Sequence, residues 1–196
     1  MDLAELAAAG AWTTRPLATT MRGGRVAVEA REGSDAWRTT SYGFVHDDAH
    51  ALLAPFGAEQ AVEVSWVLDY AEQFDQAGVM LRVDPETWIK AGVEVSDGAA
   101  QVGAVVTHGR SDWSVAPVPE WQGREVTMRA SRSGDSVTLR ARVEDEPWRL
   151  VRVAPLGPEA VVAAGPYCCA PTRAGLTVEF TRVTFGPPDA ALHPEG

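Results

Sequence analysis

From residue 25 onward the apolar residues of this chain recur with a period of two, and few folds accommodate that rhythm. In Ala61–Tyr70 the side chains Val62, Val64, Trp66, Leu68 and Tyr70 alternate with Glu63, Ser65, Val67 and Asp69. Successive side chains of a strand point to opposite faces, so the first set belongs to a core and the second to an outer surface. The same pattern predicts strands over Arg25–Glu29, Thr39–Val45, Ala77–Val83, Trp88–Val95, Gln101–His108, Glu125–Ser131, Ser136–Val143, Trp148–Pro155, Val161–Cys168 and Thr177–Phe185. Turn chemistry separates them at Asp84-Pro85-Glu86, Ser96-Asp97-Gly98 and Ser133-Gly134-Asp135, where Pro fixes φ and Gly accepts positive φ. Connections this short join antiparallel neighbours rather than helical crossovers. The fold class is therefore all-β, with two antiparallel sheets packed face to face.

The 196 residues suit one domain of the larger all-β type. We assign residues 1–10 to a short N-terminal arm, 11–186 to the sandwich and 187–196 to a flexible tail. The opening Met1–Gly10 has two acids, no basic stretch of the secretory kind, and only Leu3, Leu6 and several alanines to support a short helix. Gly186-Pro187-Pro188 ends the last strand. No apolar run approaches the roughly 20 residues needed to cross a bilayer. With 17 basic against 27 acidic side chains, a net charge of -10 argues against nucleic acid and anionic membrane partners. Cys168 and Cys169 are adjacent, so a bond between them would staple nothing distant. They are read as two reduced thiols, one facing in and one out, and a cytoplasmic location is expected.

Lys90 is the chain's single lysine, beside sixteen arginines. In Trp88–Val95, Ile89, Ala91, Val93 and Val95 oppose Trp88, Lys90, Gly92 and Glu94; in Ala77–Val83, Val79, Leu81 and Val83 oppose Gly78, Met80 and Arg82. A register with Arg82 opposite Lys90 keeps both apolar sets on one side. Two facing cations need carboxylates nearby, and Glu94 is the candidate. The second face thus carries Met80, Arg82, Trp88, Lys90 and Glu94 in place of ordinary solubilising residues.

Several segments carry a family resemblance: Trp37-Arg38-Thr39-Thr40-Ser41-Tyr42-Gly43-Phe44, Phe74-Asp75-Gln76-Ala77-Gly78-Val79-Met80, Trp88-Ile89-Lys90-Ala91-Gly92-Val93-Glu94, Val105-Val106-Thr107 with Ser111-Asp112-Trp113, Gly165-Pro166-Tyr167, and Pro171-Thr172-Arg173-Ala174-Gly175-Leu176. In this order they resemble a domain-of-unknown-function family labelled "regulation of enolase", over about residues 10 to 186. The resemblance implies a jelly-roll sandwich similar to the concanavalin A-like lectins and glucanases. It names no chemistry, and a shared sandwich does not fix function.

The candidate site is Asp75, Gln76, Arg82, Trp88, Lys90, Glu94, Asp112 and Trp113. In a jelly-roll such residues line the concave face, where tryptophans stack on flat apolar ligand surfaces and charged groups take hydroxyls. The leading reading is a non-catalytic binding module for a carbohydrate-like or small polar ligand. One alternative is a glycan-active or other small-molecule enzyme using Glu94 with Asp75 or Asp112 as an acid–base pair and Lys90 as charge stabiliser. The Glu-x-Asp-x-x-Glu strand of sandwich glucanases is absent. A second alternative, a regulatory protein contacting a metabolic enzyme, follows from the family label, so a protein partner stays open. His46-Asp47-Asp48-Ala49-His50 is read as a hydrated turn rather than a metal site. With no Gly-rich phosphate loop and no Cys-x-x-Cys pattern, no cofactor is expected. The arginines 129, 132, 140, 142, 149 and 152 are read as a solvent face paired with Glu125, Glu144 and similar acids.

Overall fold

The computed structural model describes residues 1–193. Sixteen strands follow one N-terminal helix, α1 (Leu3–Ala9): β1 (Ala11–Trp12), β2 (Ala18–Arg22), β3 (Arg25–Glu29), β4 (Ala36–Arg38), β5 (Val45–Asp47), β6 (His50–Phe56), β7 (Gln60–Val67) and β8 (Gln76–Asp84). They continue as β9 (Thr87–Ser96), β10 (Ala99–His108), β11 (Arg110–Pro117), β12 (Glu125–Ser133), β13 (Ser136–Val143), β14 (Arg149–Pro155), β15 (Val162–Cys169) and β16 (Thr177–Gly186). Sheet I runs β1-β6-β15-β8-β9-β10-β11 and sheet II runs β14-β13-β12-β7-β16-β3-β2, each of seven strands. All pairings within both sheets are antiparallel, as the all-β two-sheet jelly-roll reading requires.

One continuous core fills the space between the sheets. Val62, Val64, Trp66 and Leu68 of sheet II meet Val79, Leu81, Ile89, Ala91 and Val93 of sheet I, as the alternation sorted them. Helix α1 seals one end: Asp2 and Glu5 form a capping box, and Leu3 and Leu6 are buried in the core.

Sheet I carries a row of bare positions. Gly78, Gly92 and Gly103 lie in one row across β8, β9 and β10. A Cβ on Gly78 would lie 2.0 Å from the Ala91 carbonyl oxygen, and one on Gly103 would lie 2.1 Å from that of Ser114. Neighbouring backbone therefore occupies the space a side chain would need, and glycine permits this close approach.

Four expectations change. Of the expected strand Thr39–Val45, residues 39–44 form the connection of a hairpin between β4 and β5 and only Val45 is in a strand, because Thr39, Ser41 and Gly43 hold φ of 54°, 63° and 77°, a left-handed geometry that cannot continue a strand. Lys90 faces Met80, and Arg82 faces Trp88. The turn leaves only Pro85 and Glu86 between the paired Asp84 and Thr87, with a bulge after Arg82. This register differs from the expected one by two residues, so every side chain keeps its face while its partner changes. His46 and His50 belong to strands β5 and β6 rather than a turn. The arginine face is paired by other acids: Arg129 with Glu63 and Asp189, Arg140 with Asp189, Arg149 with Glu146, and Arg152 with Asp112. Glu144 pairs with Arg124, Arg142 stacks over Trp148 at 4.5 Å, and Arg132 is buried, donating to the carbonyls of Gly157, Pro158 and Ala160.

The tail beyond Gly186 carries contacts. Asp189 accepts from Arg129 and Arg140 while its N–H donates to Ser131 Oγ at 2.8 Å, and Arg140 also reaches the Leu192 carbonyl at 2.6 Å. The last part of the expected flexible segment, residues 194–196, lies outside the described residues.

Candidate functional site

The outer face of sheet I is covered rather than bare. The β4–β5 hairpin lies across it, building a second apolar cluster from Ala36, Trp37, Ala51, Leu53, Met80, Trp88, Val105, Tyr167 and Cys169. Charged fasteners hold the hairpin down. Arg38 bonds the Gly109 carbonyl at 3.1 Å and Glu86 at 2.6 Å, and its N–H donates to Ser111 Oγ at 2.9 Å. Arg82 grips Asp47 through two bonds of 2.5 and 2.8 Å.

Asp35, just before β4, is the innermost fastener. Its Oδ1 accepts from the Lys90 ammonium at 2.9 Å, the Ala36 N–H at 2.7 Å and Gln76 Nε2 at 3.3 Å. Gln76 Oε1 accepts from Lys90 Nζ at 2.7 Å. Asp35 and Gln76 thus take two of the three donors of a side chain that is only 3% exposed. Burial alone disfavours the Lys90 ammonium, but the Asp35 carboxylate, with Cys169 and Glu94 beyond it, outweighs burial and holds the lysine above its ordinary range.

Beside this triad the covered face opens into a cavity of about 410 Å³. Asp35, Gln76, Lys90 and Glu94 supply its polar groups, while Trp37, Tyr42, Phe44, His46, Phe74 and Trp113 supply aromatic ones. The rings meet at varied angles: Trp37 lies 6.4 Å from Trp113 at 90° and 5.4 Å from Tyr42 at 68°, while Tyr42 stacks on Phe44 at 5.4 Å and 13°. Lys90 stands in a cross-strand row with Met80, Val105 and Trp113, and Glu94 in a row with Gln76 and Gln101. The glycine row runs between them, and the floor there narrows to a cleft of about 10 Å³ along Gly92 and Gly103. Burial pushes the Glu94 carboxyl up to about 7, against the pull of Lys90 in the other direction. At neutral pH Glu94 can therefore donate as well as accept a hydrogen bond.

Of the residues proposed from sequence, Gln76, Lys90, Glu94 and Trp113 come together in the cavity. Four do not line it. Asp75 is fully buried in a fork from Arg173, whose Nε and Nη2 lie 3.0 and 2.5 Å from its Oδ2. Trp88 packs into the cluster beneath the hairpin, and Arg82 is committed to Asp47. Asp112 sits on the other side of Trp113, paired with Arg152 at 2.8 Å. The acid–base pairs weighed for catalysis, Glu94 with Asp75 or Asp112, are thus not assembled in the cavity.

Sequence reasoning missed Asp35, Trp37, Tyr42, Phe44, His46 and Phe74 as site residues. The available signal was the aromatic run from Trp37 to His46, which is excessive for an exposed connection. His50 faces elsewhere: its Nε2 accepts the Arg31 N–H at 2.9 Å, and burial lowers its pKa. Among the described residues no group of three or more His, Cys, Asp or Glu is placed to hold a metal ion. Cys168 faces the main core and Cys169 the cluster under the hairpin, and both are buried. Burial pushes the Cys168 thiol up to about 12 and Cys169 well above its usual value, which keeps both as unreactive thiols at neutral pH.

A family model described as "Protein of unknown function (DUF1349)" matches residues 12–188. A Saccharomyces cerevisiae protein named "Regulation of enolase protein 1" is 36% identical over 185 residues, covering 94% of this chain and 93% of that one. The crystal structure of a functionally unknown protein from Saccharomyces cerevisiae superposes with a TM-score of 0.87 at 34% identity, over 93% of this chain and 98% of that chain. A xylan beta-1,4-xylosidase from Bacillus halodurans C-125 matches with a TM-score of 0.63 at 16% identity, over 84% of this chain but 33% of the enzyme. At that identity the likeness is one of fold. Among the described residues no helix is long and apolar enough to cross a membrane.

Proposed function

The chain belongs to the DUF1349 family of proteins of unknown function, and from that premise we propose that it is a non-catalytic binding module whose cavity takes a carbohydrate-like or other small polar ligand. The observation that carries this reading is the joining of Lys90 and Glu94 with a wall of aromatic rings in one cavity of about 410 Å³. That volume lies in the range of small-molecule sites. Aromatic faces take the apolar faces of a sugar ring. The third donor of Lys90 and the half-protonated Glu94 serve hydroxyls, which both give and receive hydrogen bonds. The Asp35–Lys90–Gln76 bonds fix the ammonium before any ligand arrives, which lowers the ordering cost of binding. A protein named as a xylan beta-1,4-xylosidase shares this fold over 33% of its length, a likeness in keeping with this reading but secondary to the site itself.

Hydrolysis by Glu94 paired with Asp75 or Asp112 is disfavoured, because Asp75 and Asp112 are held by Arg173 and Arg152 outside the cavity. Binding to a glycan array, followed by calorimetry with the hits, tests the proposal. Trp113→Ala and Glu94→Leu should each weaken binding at least about tenfold with the fold retained; hits that bind both variants as tightly as the parent, or no hits at all, overturn it. A protein contact is a second reading, favoured by Tyr42, Phe44 and Val45, which expose large apolar surfaces at the hairpin tip. The yeast relative's name points to enolase as the first partner to test. Absence of a complex with purified enolase by size exclusion and calorimetry refutes that contact.

A further inference from the structure

A second cavity adjoins the first, and the wall between them is aromatic. It measures about 430 Å³ and shares Trp37, Tyr42 and Trp113 with the hairpin-covered cavity. Its remaining polar lining comes from Thr40, Ser41 and Asp112, with Ser111 beneath. The Ser111 hydroxyl is already engaged, accepting from the Arg38 N–H at 2.9 Å and bonding Thr107 at 2.9 Å. Thr40, Ser41 and Asp112 are the groups it offers to a ligand.

We propose that the ligand is a linear, neutral oligosaccharide of two or more rings, seated across both cavities. The inference rests on the binding reading above and extends it from one ring to a chain. Three features support it. First, the cavities meet at Trp37, Tyr42 and Trp113, whose planes differ by 68° and 90°. Successive rings of a glycan turn relative to one another, so differently oriented aromatic faces suit adjacent rings. Second, the polar groups alternate in kind along the track: Lys90 and Glu94 at the closed end, hydroxyls and Asp112 at the open end. Hydroxyl-rich rings can satisfy all of these, whereas an apolar chain would leave the third donor of Lys90 and the Glu94 carboxyl without a ligand partner. Third, charge selects against an anionic polymer. Arg152 at 2.8 Å already balances Asp112, Asp35 balances Lys90 at 2.9 Å, and the chain's net charge of -10 repels anions.

The test is calorimetry with neutral homo-oligosaccharides (β-1,4-xylose, β-1,4-glucose, β-1,4-mannose, β-1,3-glucose and α-1,4-glucose), each from monomer to tetramer. One series should bind with affinity rising roughly tenfold from monomer to dimer. Asp112→Ala, at a side chain 70% exposed, should cut the ratio of tetramer to monomer affinity about fivefold, and Glu94→Leu, which removes the hydrogen-bonding group, should weaken every length alike. Monomer and tetramer binding equally, or an Asp112→Ala variant with the parent's length dependence, overturns the two-cavity ligand while leaving a single-ring binding module standing. Failure of every series at every length overturns the binding reading and this extension together.

Discussion

Glutamine at position 94 is expected to stabilise the protein above neutral pH and to leave it nearly unchanged in mild acid. The Glu94 carboxyl titrates at about 7 in the folded chain, against an ordinary 4.5, because it is buried. Between those values the folded chain keeps a proton that the unfolded chain has released. Folding stability therefore falls as pH rises through this window, and the loss is complete above the folded value. A gap from 4.5 to about 7, at about 1.4 kcal/mol per pH unit, sets an upper bound of about 3.5 kcal/mol. Glu94 keeps some solvent contact, which lowers the expected figure to about 1–3 kcal/mol. Glutamine copies the shape of the protonated acid and cannot ionise. The difference between variant and parent should thus be near zero at about pH 4 and reach its full value by about pH 8. Urea unfolding of both proteins across that range measures it, and groups such as His50 titrate in both and cancel. A difference that stays flat with pH, or a variant less stable than the parent at about pH 8, refutes burial as the controlling influence on Glu94.

Lys90→Met should cost about 3 kcal/mol by leaving the Asp35 carboxylate without its partner at 2.9 Å; adding Asp35→Leu should recover most of that, and a single-variant loss below about 1 kcal/mol in urea unfolding would show the pair to be dispensable. Arg173→Ala strands the fully buried Asp75 and should lower stability by about 3–5 kcal/mol, so an unchanged melting temperature contradicts the assignment of that fork. Gly92→Ala drives a Cβ to 2.0 Å from the Ala77 carbonyl oxygen and should cost at least about 2 kcal/mol, whereas Gly98→Ala meets no neighbouring atom and loses only the ease of its positive φ, about 1 kcal/mol; equal effects in paired denaturation curves would remove the case for a backbone-filled row.

The faces were legible because period two reports them directly. Val62, Val64 and Trp66 were sorted to the core from side-chain type alone, and the two-residue change of register left that sorting intact. Partners were not legible. Met80 replaces Arg82 opposite Lys90 because a bulge and a two-residue turn set the pairing, and neither leaves a mark in hydrophobic alternation. The hairpin was misread for the opposite reason. Tyr42 and Phe44 alternate with small residues as a strand would, yet Thr39, Ser41 and Gly43 take left-handed geometry, which residue type signals only weakly outside glycine. That misreading hid half the site. With the hairpin seen as a strand, nothing covered the outer face, so Trp88 stood as a ligand platform instead of a packing residue under Trp37. Glu94 stood as the partner of Lys90, where the closer carboxylate comes from Asp35, fifty-five positions away.

The two segments are nevertheless one unit in energy. Asp35 and Lys90 each remove the other's cost of burial, and the cavity exists only while the hairpin that Asp35 anchors stays packed on the outer face of sheet I. A chain that kept Lys90 and Glu94 but replaced Asp35 by an apolar residue would hold an ammonium with Gln76 as its remaining hydrogen-bond partner and Glu94 as its nearest compensating charge. Burial now keeps Glu94 about half protonated near pH 7, so that charge would have to come from Glu94 giving up the rest of its proton. Losing Asp35 should therefore lower the Glu94 pKa from about 7, turn Glu94 from a two-way hydrogen-bonding group into a fixed acceptor, and change what the cavity binds without touching any residue of its sheet floor.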